Sequence, residues 1–225
     1  MNWPPDSKEA PDLAGRIPLG EQSKPLAALV ADIIAIQADL MPAELSGIHN
    51  PWGVAARFTD PWAFLESCER PMVVDAVRKV LGEDIILWDS ALFLTGADYE
   101  KAAPFDTEGR YWPVEPLQGA VAILAPEEPV RLLCCMRQDL VSKELDLSRH
   151  KDQPVLVIRY MSAASRFVRD ADHPANRRCM EEQVLINYAN QPLWLVSGEN
   201  SGHNDLVTGF APPIPTWAKT IKPTA

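Results

Sequence analysis

Asp106 and Glu108 stand two residues apart, followed at once by Arg110, Tyr111 and Trp112. In an extended segment, side chains at i and i+2 share a face, so both carboxylates would look the same way. Two carboxylates in one apolar cavity repel, so one keeps its proton as a general acid while the other acts as a base. Tyr111 and Tyr160 add phenolic groups, and Arg110 and Arg159 add cations able to hold an anionic ligand. Trp88 and Trp112 supply aromatic surface for a wall. Together these parts suit proton-transfer chemistry such as a lyase or isomerase step. Asp106, Glu108, Tyr111 and Tyr160 are the catalytic candidates, and Trp88, Arg110, Trp112 and Arg159 the substrate-binding ones. The competing reading of the acidic pair is a solvated loop, because residues 101–109 are polar and interrupted by Pro104.

Signatures of other chemistries are missing. No GxGxxG, P-loop, HExxH or GxSxG pattern occurs, which removes local support for dinucleotide, nucleotide, zincin and α/β-hydrolase readings. His49, His150, His173 and His203 lie far apart, and each taken singly reads as a surface or capping residue. Four cysteines form no CxxC pair, and Cys134 and Cys135 sit within an apolar run, as buried small hydrophobes of a reducing compartment do. A net charge of −10 argues against nucleic acid as a partner, since phosphate-binding surfaces carry clustered Lys and Arg.

The elements that must position these residues follow from periodicity and punctuation. A chain of 225 residues falls within the reach of one hydrophobic core, while 21 prolines against 11 glycines send much of it into loops, turns and edge strands. Residues 1–24 mix prolines with charges and read as an extended arm, 25–211 as a single domain, and 212–225 as a Pro-rich surface strap. Apolar residues at helical spacing predict a helix after Ser23 that ends before Pro42, a short one from Asp60-Pro61 to Glu69, and one over 71–81 closed by Gly82. Strands are expected at 85–88, 91–94, 119–124, 130–136 and 155–161, with a last helix from Pro174 to about Tyr188. Helices first and strands afterwards mean an α+β or helix-buttressed β fold. No basic and apolar leader opens the chain and no apolar run nears roughly 18 residues, so a cytoplasmic protein without a membrane partner is expected.

Three segments carry a resemblance. Val80 to Phe93, including Leu81-Gly82 and Leu87-Trp88, is followed after a loop by Gly109-Arg110-Tyr111-Trp112-Pro113-Val114-Glu115-Pro116, and later by Val157-Ile158-Arg159-Tyr160-Met161. Over roughly residues 47–210 this resembles the phytanoyl-CoA dioxygenase family. The resemblance implies a mainly β fold with flanking α-helices, a double-stranded β-helix (jelly roll, cupin-like), here shortened in its second half. It also implies Fe(II) held by two histidines and a carboxylate, with 2-oxoglutarate as cosubstrate.

This chain departs from that pattern at each part of the implied site. Where the family has His-x-Asp before the Gly-x-Tyr-Trp-Pro segment, this sequence has Asp106-Thr107-Glu108. No Gly-Ser-His turn occurs between Leu124 and Val155, where the only histidine is His150 in a polar run. At the expected cosubstrate arginine stand Gln153 and Pro154. The expectation is therefore a family-like fold that has lost iron and 2-oxoglutarate, leaving a metal-independent enzyme that uses the carboxylates on a small molecule, an aromatic or acyl acid. The alternatives are a non-catalytic jelly roll that binds a ligand or a partner subunit, and a metal enzyme with Asp106, Glu108 and His203 as ligands. A homodimer is expected, because an open sheet edge must be covered or paired.

Overall fold

Nine consecutive buried residues, Ile85–Phe93, form the strand around which the fold is laid. The computed structural model describes residues 47–49, 62–125, 131–136, 151–182 and 192–206, with the backbone course alone for 47–49, 62–64 and 131–136. In chain order the elements are β1 (Gly47–His49), α1 (Trp62–Cys68), α2 (Pro71–Leu81), β2 (Ile85–Phe93), α3 (Gly96–Thr107) and a 3₁₀ turn (Gly109–Tyr111). Then follow β3 (Val114–Glu115), β4 (Gln118–Leu124), β5 (Arg131–Met136), β6 (Val155–Ser162), β7 (Arg166–Phe167), α4 (Pro174–Glu182) and β8 (Trp194–Ser197).

One antiparallel sheet runs β1-β2-β6-β4-β5, and β8 also pairs with β2. β1 takes Ala91–Phe93 and β8 takes Ile85–Leu87, so the two share one edge of β2. β3 and β7 make a separate two-stranded ribbon. The mainly antiparallel sheet with flanking helices agrees with the expected class, and the described second sheet is this short ribbon. The arm (1–24), the helix after Ser23, the cap at Asp60-Pro61, the last helix beyond Glu182 and the strap (212–225) lie outside the described residues.

Each face of the sheet carries its own helices. α1 and α2 cover one face, where Val73, Val74, Val77 and Leu65 meet Ile85, Leu87, Leu92, Ala120, Leu156 and Tyr160. The α2 pattern worked as expected: Val73, Val77 and Val80 recur at i, i+4 and i+7, and burying its four valines contributes about 1.5–3 kcal/mol each. Pro71 opens α2, and Gly82 closes it at φ 86°, a backbone conformation that side chains disfavour, with its N–H on the Arg78 carbonyl at 2.9 Å. α3, the 3₁₀ turn and α4 cover the opposite face, with Trp88, Phe93, Tyr99, Tyr111, Trp112 and Phe167 at its centre. Among the described residues no helix is long and apolar enough to cross a membrane.

Two departures from expectation bear on the site. The apolar runs 85–88 and 91–94 are not two strands, because Asp89 and Ser90 between them are buried and continue the ladder to β6. The register slips there: Leu87 faces Tyr160 and Asp89 faces Arg159, leaving Trp88 as the extra residue of a bulge. The second departure is α3, which occupies the segment expected to be a strand or loop. Thr95 caps it, its side chain accepting the Asp98 N–H at 3.1 Å and donating to the Asp98 carboxylate at 2.5 Å.

Candidate functional site

The bulge in β2 brings Asp89 onto the α3 side of the sheet, directly across from Arg159 in the register with β6. From α3, Tyr99 and Asp106 reach the same point, being seven residues or two turns apart on one side of the helix. One guanidinium joins the two aspartates. Arg159 Nη1 donates to Asp89 Oδ2, Nε to Asp106 Oδ1, and Nη2 to Asp106 Oδ2 at 3.1 Å. The Tyr99 hydroxyl donates to Asp106 Oδ2 at 2.9 Å. Asp106 thus receives a two-pronged grip that suits a guanidinium fork, with a phenol as third donor. The side chains are 3% exposed for Arg159 and 0% for both aspartates, so the cluster sits away from bulk solvent. Burial, and then the Asp106 charge beside it, raise the Tyr99 pKa well above its ordinary value, so Tyr99 remains a proton donor.

Asp106 and Glu108 do not share a face. Asp106 lies in the last turn of α3 and points into the core, whereas Glu108 caps the helix C-terminus and pairs with Arg110 at the surface. Helical geometry separates residues two apart by roughly 200°, and the extended geometry that would have aligned them is absent. Beside that surface pair the Tyr111 ring is buried while its hydroxyl reaches the rim. There it donates to Glu182 of α4 and accepts from Arg110 Nη2 at 2.8 Å. Burial and the Glu182 bond push the Tyr111 pKa up to about 12. The Arg110 and Arg178 guanidiniums lie 4.7 and 5.9 Å from its ring centre.

The remaining candidates separate. Trp88 and Trp112 meet edge to face at 5.0 Å on the same side of the sheet as Arg159, and the Trp112 indole N–H donates to the Phe105 carbonyl at 3.2 Å. Tyr160 points to the other side, under α1 and α2, where its hydroxyl donates to the Cys68 carbonyl at 2.6 Å. His203 is exposed in a turn, at φ 52°. His150 lies outside the described residues. Asp89 and Tyr99 were missed from sequence. A single charge inside each of two apolar strands, Asp89 in one and Arg159 in the other, was the available signal, since such charges persist only when paired.

No protein-family model matches this chain, and no curated protein sequence matches it. It shares its fold with CytC3. That solved structure is 14% identical, with a TM-score of 0.50 over 88% of this chain and 90% of that one. ThoJ, a non-haem monooxygenase solved in its apo form, matches at 14% identity and a TM-score of 0.43, over 80% of this chain and 76% of that one. EctD from S. alaskensis, solved with 2-oxoglutarate and 5-hydroxyectoine, matches at 15% identity and a TM-score of 0.28, over 72% of this chain and 73% of that one.

The resemblance in sequence implies iron at Asp106, and the residues there do not fit it. Both Asp106 oxygens accept from Arg159, whose fixed positive charge beside them would repel a metal ion. Glu108 is drawn outward to Arg110, and His203 is exposed in its turn. Among the described residues no three His, Cys, Asp or Glu side chains come together in a way that could hold a metal ion.

Proposed function

We propose that this chain is a phytanoyl-CoA-dioxygenase-like protein that has given up iron and 2-oxoglutarate and acts as a non-catalytic binding protein for a small aromatic or acyl acid. One observation carries the reading. The carboxylate standing at the implied metal position, Asp106, is consumed by Arg159 and Tyr99 inside the core, and its intended partner Glu108 faces solvent. A buried carboxylate whose charge is matched by a guanidinium and whose oxygens take three donors makes a poor metal ligand and a poor base.

The test combines turnover with binding. Protein purified without chelator and supplied with Fe(II), ascorbate and 2-oxoglutarate should form no succinate above a heat-treated control. Calorimetric titration with aromatic and acyl acids should yield a saturable isotherm for at least one class. Stoichiometric iron retention with succinate formation overturns the reading, as does the lack of any saturable acid.

A second reading, a metal-independent acid–base enzyme, is favoured by the Tyr111–Glu182 pair, a phenol and carboxylate bonded at the rim with Arg110 beside them. Glu182→Gln discriminates: any lyase or isomerase turnover found should fall at least 100-fold, a typical general-catalysis contribution, with the melting temperature unchanged.

A further inference from the structure

Helix α4 begins at Pro174, a residue without an amide hydrogen, so the first free N–H at its N-terminus belongs to Ala175. A histidine answers it. His173 precedes the helix, its carbonyl accepting the Arg177 N–H at 3.0 Å and its ring Nδ1 accepting the Ala175 N–H at 3.3 Å, as an N-cap does. The other ring nitrogen, Nε2, lies 3.0 Å from Glu115 Oε1 on β3. A neutral imidazole that accepts at Nδ1 carries its proton on Nε2, so one tautomer serves both partners and ties α4 to the β3–β7 ribbon. The body of the helix is anchored without the histidine. Asn176 Nδ2 donates to the Val168 and Asp170 carbonyls at 2.8 and 2.7 Å, Cys179 Sγ donates to the Tyr111 carbonyl at 3.4 Å, and Glu182 accepts from the Tyr111 hydroxyl.

We infer that His173 is a proton-operated cap: uptake of one proton at Nδ1 releases the first turn of α4 while the contact with Glu115 is kept. An imidazolium has two donors and no acceptor, so its Nδ1–H would meet the Ala175 N–H donor against donor. Its charge would also stand at the positive end of the helix dipole. Against these two losses stands one gain, the ion pair with Glu115, whose side chain is 66% exposed and therefore screened by water. The other charged groups on the elements that meet there are Arg166, opposite Glu115 in β7, Asp170 and Asp172 in the turn before α4, and Arg177 in its first turn. The acids favour taking up the proton and the arginines oppose it, but none supplies the acceptor that Ala175 loses. Histidine is the side chain that changes charge between roughly pH 5 and 8, so acidification over that range is the trigger. The device is independent of the ligand and catalytic readings above.

The experiment is amide hydrogen exchange read residue by residue by NMR, each rate divided by that of an unstructured peptide at the same pH. Protection of the Ala175 amide should drop about fivefold between pH 7.5 and 5.5, the scale of a lost N-cap, while that of Cys179, one turn on, should hold. His173→Asn retains a capping acceptor that takes up no proton, so it should keep Ala175 protected at both pH values and abolish the step. His173→Ala should leave Ala175 poorly protected at both. Glu115→Gln should keep the step, because the step arises at Nδ1. Ring nitrogen shifts of the parent chain at pH 7.5 should place the proton on Nε2. Ala175 protection that holds or rises on acidification overturns the inference, and so does a step that survives in His173→Asn or vanishes in Glu115→Gln. An equal fall at Cys179 overturns it too, by assigning the step to the whole fold, as does a proton found on Nδ1 at pH 7.5.

Discussion

Arg159 is a single side chain on which two carboxylates depend, and that makes the neighbouring acids unequal in a measurable way. Asp106→Ala takes away the partner of the Arg159 Nε and Nη2 donors, leaving the pair with Asp89, and should cost at least about 2 kcal/mol in thermal or denaturant unfolding, whereas Glu108→Gln, two residues on, should change stability by less than about 0.5 kcal/mol. Equal losses at the two positions would mean that the chain does not place them as described. Asp89→Asn and Asp106→Asn should also combine non-additively, because both act through the same guanidinium. The tyrosines set an alkaline limit. Burial raises Tyr99 and Tyr160 well above their ordinary value of 10.0. The unfolded chain therefore loses these protons first, so the native state has their full contribution below pH 10 and loses it as the pH climbs from there. Melting temperature measured across pH 8 to 12 should fall on the alkaline side, and Tyr99→Phe should make that fall shallower.

At the scale of elements, the aromatic side of the sheet is fitted around missing atoms. A β-carbon on Gly119 would lie 2.1 Å from the Trp112 ring, so Trp112 can rest on β4 only because that residue is glycine. Gly119→Ala should destabilise by about 1–3 kcal/mol, and much less in a Trp112→Leu background, as chemical denaturation of the four proteins would show. Elements whose burial follows a simple period were legible in the sequence. α2 carries valines at helical spacing, and β4 and β6 are short apolar runs, so their bounds fall within a residue of expectation. α3 was not legible, since its buried positions are a glycine, a tyrosine and an aspartate and it contains Pro104, which together erase any apolar stripe. Its surviving signal was the Thr95–Asp98 cap. The candidate site failed for the same reason. Asp106 and Glu108 were paired by a strand period, and in a helix that spacing sends one inward and the other out. One strand was likewise divided into two, because the polar Asp89 and Ser90 interrupt the apolar runs 85–88 and 91–94 while their buried pairing with β6 is invisible in sequence.

At the scale of the whole molecule, one sheet divides the interior into two cores, the α1–α2 side with its aliphatic packing and the opposite side with its aromatics and its buried charges. The fold is shared with CytC3 over 88% of this chain and 90% of that one. The position of β2 has a consequence for how the protein is made. Its long partner β6 comes only at Val155–Ser162, and the strand that shares its other edge with β1 comes at Trp194–Ser197. At roughly 5–20 residues per second, a ribosome leaves this largely apolar strand without its main partner for several seconds. A chain released before Val155 should therefore be insoluble and held by holdase chaperones, while one released after Ser197 should be recovered soluble, as ribosome-release fractions would show. The soluble yield should therefore depend on how well β2 is protected until β6 is made.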